Sequence, residues 1–305
     1  MAKTHQALPD PRNADVLIWI NGVLVPRADA TISVFDSGFL VGDGIWEGIR
    51  LHDGTLIHLD RHLDRMYSGA EQVGLQIGLT REQLCDAIAA TLEANAMTTG
   101  AHVRVMVTRG IKKTPAQHPG LVVGGPTIVI IAEHKTADPN VTDTGITLAT
   151  SSVRRPPPNT LDQRLNCHSK LHEVAALVEA TAAGADEALM LDIHDNVATC
   201  NATNFFIVTG GEVWTSTGLH CLNGITRGVV IELASDLGLV ARQLDFLVDA
   251  ALAAYEAFVT GTFGGVTPVV RIDDAPIGGG SPGPVTVRLI DAYRTHIDAL
   301  GASHG

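Results

Sequence analysis

Residues Thr160 to Arg227 constrain this chain more than any other stretch. They read TLDQRLNCHSKLHEVAALVEATAAGADEALMLD, then NVATCNATNFFIV, then LNGITR. Leu171, Val174, Ala175 and Val178 recur at helical spacing. A helix is therefore expected from about His168 to Ala183, burying those four and stopping at Gly184. Strands are expected at Glu187–Leu191, Phe205–Val208 and Glu212–Trp214, with Gly210-Gly211 as a hairpin turn. The LNGITR loop then feeds a helix from Thr226 to Leu237, ended by Gly238. This mixture of helix and strand indicates an α/β or α+β fold.

The rest of the chain follows the same logic. VLIWINGVLV (Val16 to Val25) is a β-prone run broken by Asn21-Gly22, a type I′ hairpin signal. Leu59, Leu63, Met66 and Ala70 mark a helix, and TREQ at Thr80 is a capping box leading into Leu84, Ile88 and Leu92. Val103–Thr108 and Thr127–Ala132 read as strands, the second apolar enough to be expected buried on both faces. HKTADPNVTDT is polar, aperiodic and carries Pro139, and reads as a linker. The expected division is a small domain over 15–134, a linker over 135–145 and a large domain over 146–305. The large domain opens on a strand (Ile146 to Ser152) and the rigid Pro156-Pro157-Pro158 run. It closes on a helix from near Pro284 to Leu300. The expected class is α/β, in the α+β two-domain sense, with the site in the cleft between the halves.

Composition bounds the function. Lys and Arg number 21 against 33 Asp and Glu, a formal charge of −12. That argues against nucleic acid or an anionic membrane as partner. No run reaches membrane-spanning length, and the N-terminal MAKTHQALPDPRNADV reads as a floppy leader without an apolar signal core. Cys85, Cys167, Cys200 and Cys221 form no CxxC pair, so free thiols in a reducing cytoplasm are expected.

Gly224-Ile225-Thr226 sits where a loop enters a helix, so backbone N–H groups and the positive dipole end face whatever lies there. Taken alone, this is a weak signal, and Thr226 reads first as an ordinary helix cap. Arg65, in HLDR, reads alone as a solvated helix charge. Together GITR, TGTFGGVTPV (from Thr260) and HLDR, with FDSGFLVGDGIWEGIR (Phe35 to Arg50) and VTRG, resemble the class IV aminotransferases. These are the fold type IV enzymes that use pyridoxal 5′-phosphate (PLP). The resemblance runs from Val16 to Leu300. It implies that Arg65, Ile225, Thr226, Gly261 and Thr262 bind the cofactor phosphate, with Leu222 against the pyridine ring. It implies substrate contacts from Phe39, Trp46 and His118, a small amine, amino acid or 2-oxo acid as substrate, and a homodimer. Trp46 can also be read as a core aromatic, and His118 as a surface-loop residue.

The chain departs from the family at two points. The family lysine that forms the Schiff base falls at Asn166, and the glutamate facing the pyridine nitrogen falls at Thr199. An amide forms no imine, and a hydroxyl brings no charge to the ring. Lys170, four residues on, is the nearest replacement amine, though it also reads as a solvated flank of the helix. His168 and His172, at i and i+4, have a spacing that can hold a metal on a helix, but without a third ligand none is expected. Cys167 or Cys200 could serve as a nucleophile, or be an inert buried thiol. Three readings follow. The first is a PLP-dependent, transaminase-like enzyme using Lys170. The second binds PLP, its amine form or another phosphorylated ligand non-covalently and does other chemistry. The third is a non-catalytic binding protein.

Overall fold

The computed structural model describes residues 7–302, in two compact units. Residues 9–136 cluster with 165–169 and 298–302; residues 7–8, 137–164 and 170–297 form the other unit. The short segment 165–169 thus groups with the first unit, although it follows part of the second in sequence. Residues 1–6 of the expected leader lie outside the described residues. The rest of it is structured. Pro11–Ala14 form a 3-10 turn, and the Asn13 side chain pairs with the backbone of His134 in both directions at 2.8 Å.

The first unit is an antiparallel sheet. Its strands are β1 (Leu17–Ile20), β2 (Val23–Pro26), β3 (Gly44–His52), β4 (Thr55–Leu56), β5 (Ala101–Thr108) and β6 (Thr127–His134), ordered β2-β1-β6-β5-β3-β4. The β1–β2 hairpin turns on Asn21 and Gly22, both at positive φ, as the type I′ reading requires. Helices α1 (Ser37–Val41), α2 (Leu59–Gln72) and α3 (Arg81–Ala94) complete the unit. Thr80 and Gln83 form the expected reciprocal capping box at the start of α3. Leu63, Met66, Leu84 and Ile88 pack on Ile45, Ile49, Val103, Val105 and Ile130 from the sheet. Only that face is fully buried. In β6, Ile128, Ile130 and Ala132 are buried, whereas Val129, Ile131 and Glu133 are half-exposed. The expectation of a strand buried on both faces fails because helices cover one face only.

The second unit, among the described residues, is a mixed nine-stranded sheet. Helix α4 (Asn140–Thr144) lies in the stretch expected to be a linker, with Val141 buried in the core. The strands are β7 (Ile146–Thr150), β8 (Glu187–Leu191), β9 (Val197–Cys200), β10 (Asn204–Thr209), β11 (Glu212–Thr215), β12 (Val240–Gln243), β13 (Glu256–Gly261), β14 (Gly265–Ile272) and β15 (Ala275–Pro276). They run in the order β12-β11-β10-β13-β14-β7-β8-β9, with β15 beside β14. The helices are α5 (Leu171–Ala182), α6 (Ile225–Asp236), α7 (Val248–Leu252) and α8 (Pro284–Ala302).

Helix α5 corrects the sequence reading. It starts at Leu171, not His168. It buries Glu173, Ala176 and Ala180, and exposes Leu171, Val174, Ala175 and Val178. Ala176 and Ala180 meet Ala149, Ala185, Ala188 and Met190, so small residues set the close approach of helix and sheet. The apolar stripe is therefore real in period but points outward.

One charge cluster is fully internal. The Glu47 carboxylate is wholly buried and accepts Arg65 Nε and Nη2, each at 2.7 Å, with His62 Nδ1 at 2.7 Å. Burial alone would raise the Glu47 carboxyl, but Arg65 and His62 outweigh it and hold it below the ordinary value near 4.5. A depressed carboxyl contributes stability above its unfolded pKa and loses it as pH falls through the folded value. We predict that Glu47→Gln costs about 3–5 kcal/mol at neutral pH, because a buried cation loses its partner. The loss should shrink as pH drops through and below the ordinary carboxylate range. Urea denaturation at pH 7 and pH 4 checks this; equal losses at both would contradict it.

Candidate functional site

In the first unit, Asn166 and Trp46 are held together by backbone pairing. Trp46 N–H donates to Asn166 O at 2.9 Å, His168 N–H donates to Gly44 O at 2.9 Å, and the Trp46 indole N–H reaches Cys167 O at 3.2 Å. Residues 166–168 thus extend the sheet beside the start of β3. The Asn166 side chain is buried, and its Oδ1 has no hydrogen-bond partner. An orphaned buried acceptor is costly and marks a position where a donor fits.

Arg104, on β5, was not singled out in the sequence. Its guanidinium stacks over the Trp46 ring at 3.9 Å from the centroid. Burial lowers its pKa, with Glu133 working the other way. No carboxylate pairs with it among the described residues. The signal was available as a lone arginine inside the apolar run AHVRVMVT. Arg104 borders a cavity of about 350 Å³ on the uncovered face of the sheet, floored by Ile18, Ile20, Val129 and Ile131.

Phe39 lies on α1 and is 68% exposed. His118 is exposed and caps a 3-10 turn, its Nδ1 accepting the Gly120 N–H at 3.0 Å. That interaction gives His118 a local structural role. Arg65 is committed to Glu47 through Nε and Nη2.

In the second unit, Asn204 joins most of the remaining candidates. Its Nδ2 donates to Leu222 O at 2.9 Å and to Thr199 Oγ1 at 3.3 Å; its Oδ1 accepts Gly224 N–H at 3.2 Å. Thr199 and the entry to α6 therefore meet at one buried amide. Helix α6 has Gly224 as its cap residue and no side-chain cap, so its first N–H groups stay available. Gly224 is required here, because a Cβ would collide with Asn204 Oδ1. Thr260 pairs with Asn204 across β13 and β10, and its buried hydroxyl has no partner. Gly261 and Thr262 follow directly. This is a donor-rich, uncapped helix end of the kind that binds phosphate.

Thr199 is fully used. Its hydroxyl donates to Thr203 O at 2.7 Å while accepting from Asn204. Thr203 Oγ1 in turn reaches the buried Glu187 carboxylate at 2.6 Å. Burial, reinforced by Glu187, pushes the Cys200 thiol well above its ordinary value. Cys200 is thereby an inert thiol and no nucleophile.

Lys170 precedes α5, and its Nζ lies 3.3 Å from Glu173 Oε1. Arg155 Nη1 donates to the same oxygen at 2.9 Å. His168 and His172 do not share a helix, since α5 begins between them. His168 Nε2 sits 3.1 Å from Ile45 O, and His172 Nε2 is 2.8 Å from Gln163 Oε1. The spacing that suggested a metal pair is spent on two separate contacts.

Comparison with known proteins decides the family. The amino-transferase class IV profile matches residues 44–272. The chain belongs to the class IV aminotransferases. Branched-chain-amino-acid aminotransferase-like protein 2 of Arabidopsis thaliana is 39% identical over 97% of this chain. The chain spans about half of that relative's length, 53%. Branched-chain-amino-acid aminotransferase of Pseudomonas aeruginosa is 35% identical, covering 95% of both chains. Among solved structures, a crystal structure of a branched-chain amino acid aminotransferase with pyridoxamine 5′-phosphate superposes with a TM-score of 0.87 at 32% identity, covering 93% of this chain and 94% of the other. The fold is therefore fold type IV, as the motifs implied.

The Asn204 hub makes a prediction. Asn204→Ala strips partners from Leu222 O, Gly224 N and Thr199, and should cost about 1–3 kcal/mol for the buried groups left unpaired. Gly224→Ala should destabilise the chain as well, by steric conflict with the same amide. Chemical denaturation of both variants tests this, and wild-type stability in each would refute the hub.

Proposed function

We propose that this chain is a PLP-binding, transaminase-like enzyme acting on a small amino acid, amine or 2-oxo acid. The cofactor would be gripped chiefly through its phosphate. The observation that carries this is the uncapped α6 N-terminus held by Asn204, with the unpartnered Thr260 hydroxyl beside it. Ile225, Thr226, Gly261 and Thr262 would bind the phosphate and Leu222 would lie on the ring; for Arg65 the HLDR motif alone supports a cofactor-binding role. The donor set fits the phosphate end of the group. It does not fit attachment at residue 166, where an amide stands.

When bound, PLP or its amine form supplies an amino-group carrier on an electron-accepting ring. Arg104 would hold a substrate carboxylate, with Trp46 and Phe39 lining the apolar part. His118 would contribute at the rim. Lys170 would take the place of the missing amine, because no other lysine lies between residues 137 and 297. Asn166 and Thr199 would then shape the pocket without forming a bond to the cofactor. The buried, unsatisfied Asn166 Oδ1 favours a second reading, in which the chain binds the phosphorylated ligand and performs no amine transfer.

The exposed stripe Leu171, Val174 and Val178 on α5 supports a homodimer as the assembled form. The four unpaired cysteines suit the cytoplasm. No helix among the described residues is long and apolar enough to cross a membrane.

Two outcomes are expected. Pyridoxal should bind on the order of 100-fold or more weakly than its phosphate, since each hydrogen bond to a charged group contributes about 1.5–3 kcal/mol. Borohydride treatment of the PLP-loaded chain, followed by peptide mapping, should tag Lys170. Tight phosphate-dependent binding with no tagged lysine and no turnover would select the second reading. For the assembly, Leu171→Glu with Val178→Glu should halve the mass seen by sedimentation; an unchanged mass would rule out this face.

A further inference from the structure

Two unpartnered acceptors stand on one face of the segment that extends the first unit's sheet. Residues 166–168 pair with the start of β3 through Trp46 N–H to Asn166 O and His168 N–H to Gly44 O. Cys167 lies opposite Ile45, whose side chain belongs to the core. Side chains alternate along an extended segment, so Asn166 and His168 leave the other face, the one that carries Trp46 and Arg104. All of these residues belong to one compact unit. Asn166 is 7% exposed, and its Oδ1 has no hydrogen-bond partner.

The hydrogen on His168 can be placed from its neighbours. Its Nε2 lies 3.1 Å from Ile45 O, a carbonyl that can only accept, so Nε2 carries the hydrogen. Burial lowers the ring's pKa below the ordinary value near 6.5; Arg104 adds to this, while the Ile45 carbonyl, Asp36 and Asp43 work against it. The ring is therefore neutral at pH 7, and Nδ1 is a bare lone pair with no partner among the described residues. Glycines stand beside it: a Cβ at Gly44 would come within 2.9 Å of Nδ1, and one at Gly38 within 3.3 Å. Both nearby carboxylates are engaged. Asp36 is fully buried and accepts Gly38 N–H at 2.8 Å and the Thr108 hydroxyl at 2.9 Å. Asp43 accepts Arg109 Nε at 2.7 Å and Nη2 at 3.0 Å.

We propose that Asn166 Oδ1 and His168 Nδ1 form a neutral acceptor pair for a primary amino group carried by the ligand. Residues two apart in an extended segment are about 6.6 Å apart, a gap that two hydrogen bonds of about 3 Å each can span. Serving both acceptors takes a group with at least two hydrogens, which a primary amine or its ammonium form has and a hydroxyl or an aldehyde lacks. Asn166 stands where the family motif puts a lysine, so the chain offers acceptors where an amine of its own is expected. The complementary group is then an amine brought in by the ligand. Arg104 keeps an anion-binding charge on the same face. Two ligands carry such an amine: an amino acid or amine substrate, and the amine form of the cofactor. The choice between them rests on the proposed function, whereas the acceptor pair does not. A trapped water is the competing occupant.

Histidine ¹⁵N–¹H NMR on the full chain without cofactor, with His168 assigned through His168→Gln, tests the acceptor. The expected spectrum at pH 7 has Nε2 protonated and Nδ1 bare; hydrogen on Nδ1 would overturn the proposal. Titration calorimetry tests the pair and separates the two sources of the amine. For the cofactor, pyridoxamine 5′-phosphate is compared with 4-deoxypyridoxine 5′-phosphate, which has a methyl in place of the aminomethyl group. For the substrate, leucine is compared with 4-methylvalerate, on the full chain with and without 4-deoxypyridoxine 5′-phosphate. In at least one arm the amine should bind about tenfold or more tightly than its partner compound. That preference should shrink in both Asn166→Leu and His168→Phe, and as pH falls through the ring's pKa. No preference in either arm, or a preference that both variants keep, would overturn the proposal and leave the site to water. The wild-type comparison decides the matter even where a variant does not fold. Failure to tag Lys170, with the NMR and the amine preference as expected, counts against the proposed function and leaves the pair standing. Tagging of Lys170 without an amine preference does the opposite.

Discussion

The Asn204 amide is the contact on which the second unit's chemistry depends. One side chain satisfies a carbonyl on the loop before α6, an N–H at the helix entry and a hydroxyl on β9. Three pieces of chain distant in sequence are thereby tied to one buried point. A planar group with two donors and one acceptor oxygen can do this; aspartate lacks the donors and leucine lacks both. Because Asn204 bonds to the cap residue, the first N–H groups of α6 are left for a ligand. Structural satisfaction and binding capacity come from the same arrangement.

The first unit obeys the same rule with charge in place of amides. Glu47 is buried against the Arg65 guanidinium and the His62 ring, so α2 is tied to β3 by groups that cannot be left alone in an apolar core. The opposite face of that sheet is left half-open, with Arg104 stacked on Trp46 above an apolar floor. A sheet covered on one face only is what allows a guanidinium to remain without a carboxylate partner at the edge of a cavity.

Much of this was legible from residues. The Asn21-Gly22 hairpin, the Thr80 capping box and the helix entry at Gly224 each depend on local backbone chemistry, and each stands where its signal placed it. The family motifs were legible for the same reason, since they encode turns and helix ends. The failures share a cause too. In α5 the period was read correctly but the buried face was assigned to the larger apolar side chains. The sheet accepts Ala176, Ala180 and Glu173 because Ala149, Ala188 and Met190 leave room for little else. The His168/His172 spacing misled because the helix begins between them. Asn204 and Arg104 were visible as letters, but their partners lie far away in sequence.

The sequence by itself determined the family, several of the main helices and strands, and the absence of an amine at residue 166 and of a carboxylate at residue 199. Those are properties of residue identity and local period. Tertiary structure alone decided that Lys170, His172 and Arg155 gather around the buried Glu173 carboxylate, and that Asn204 organises the helix entry. Such groupings depend on which side chains a packed sheet and helix bring within hydrogen-bonding distance. Distance in space between residues far apart in the chain is what a linear period cannot express.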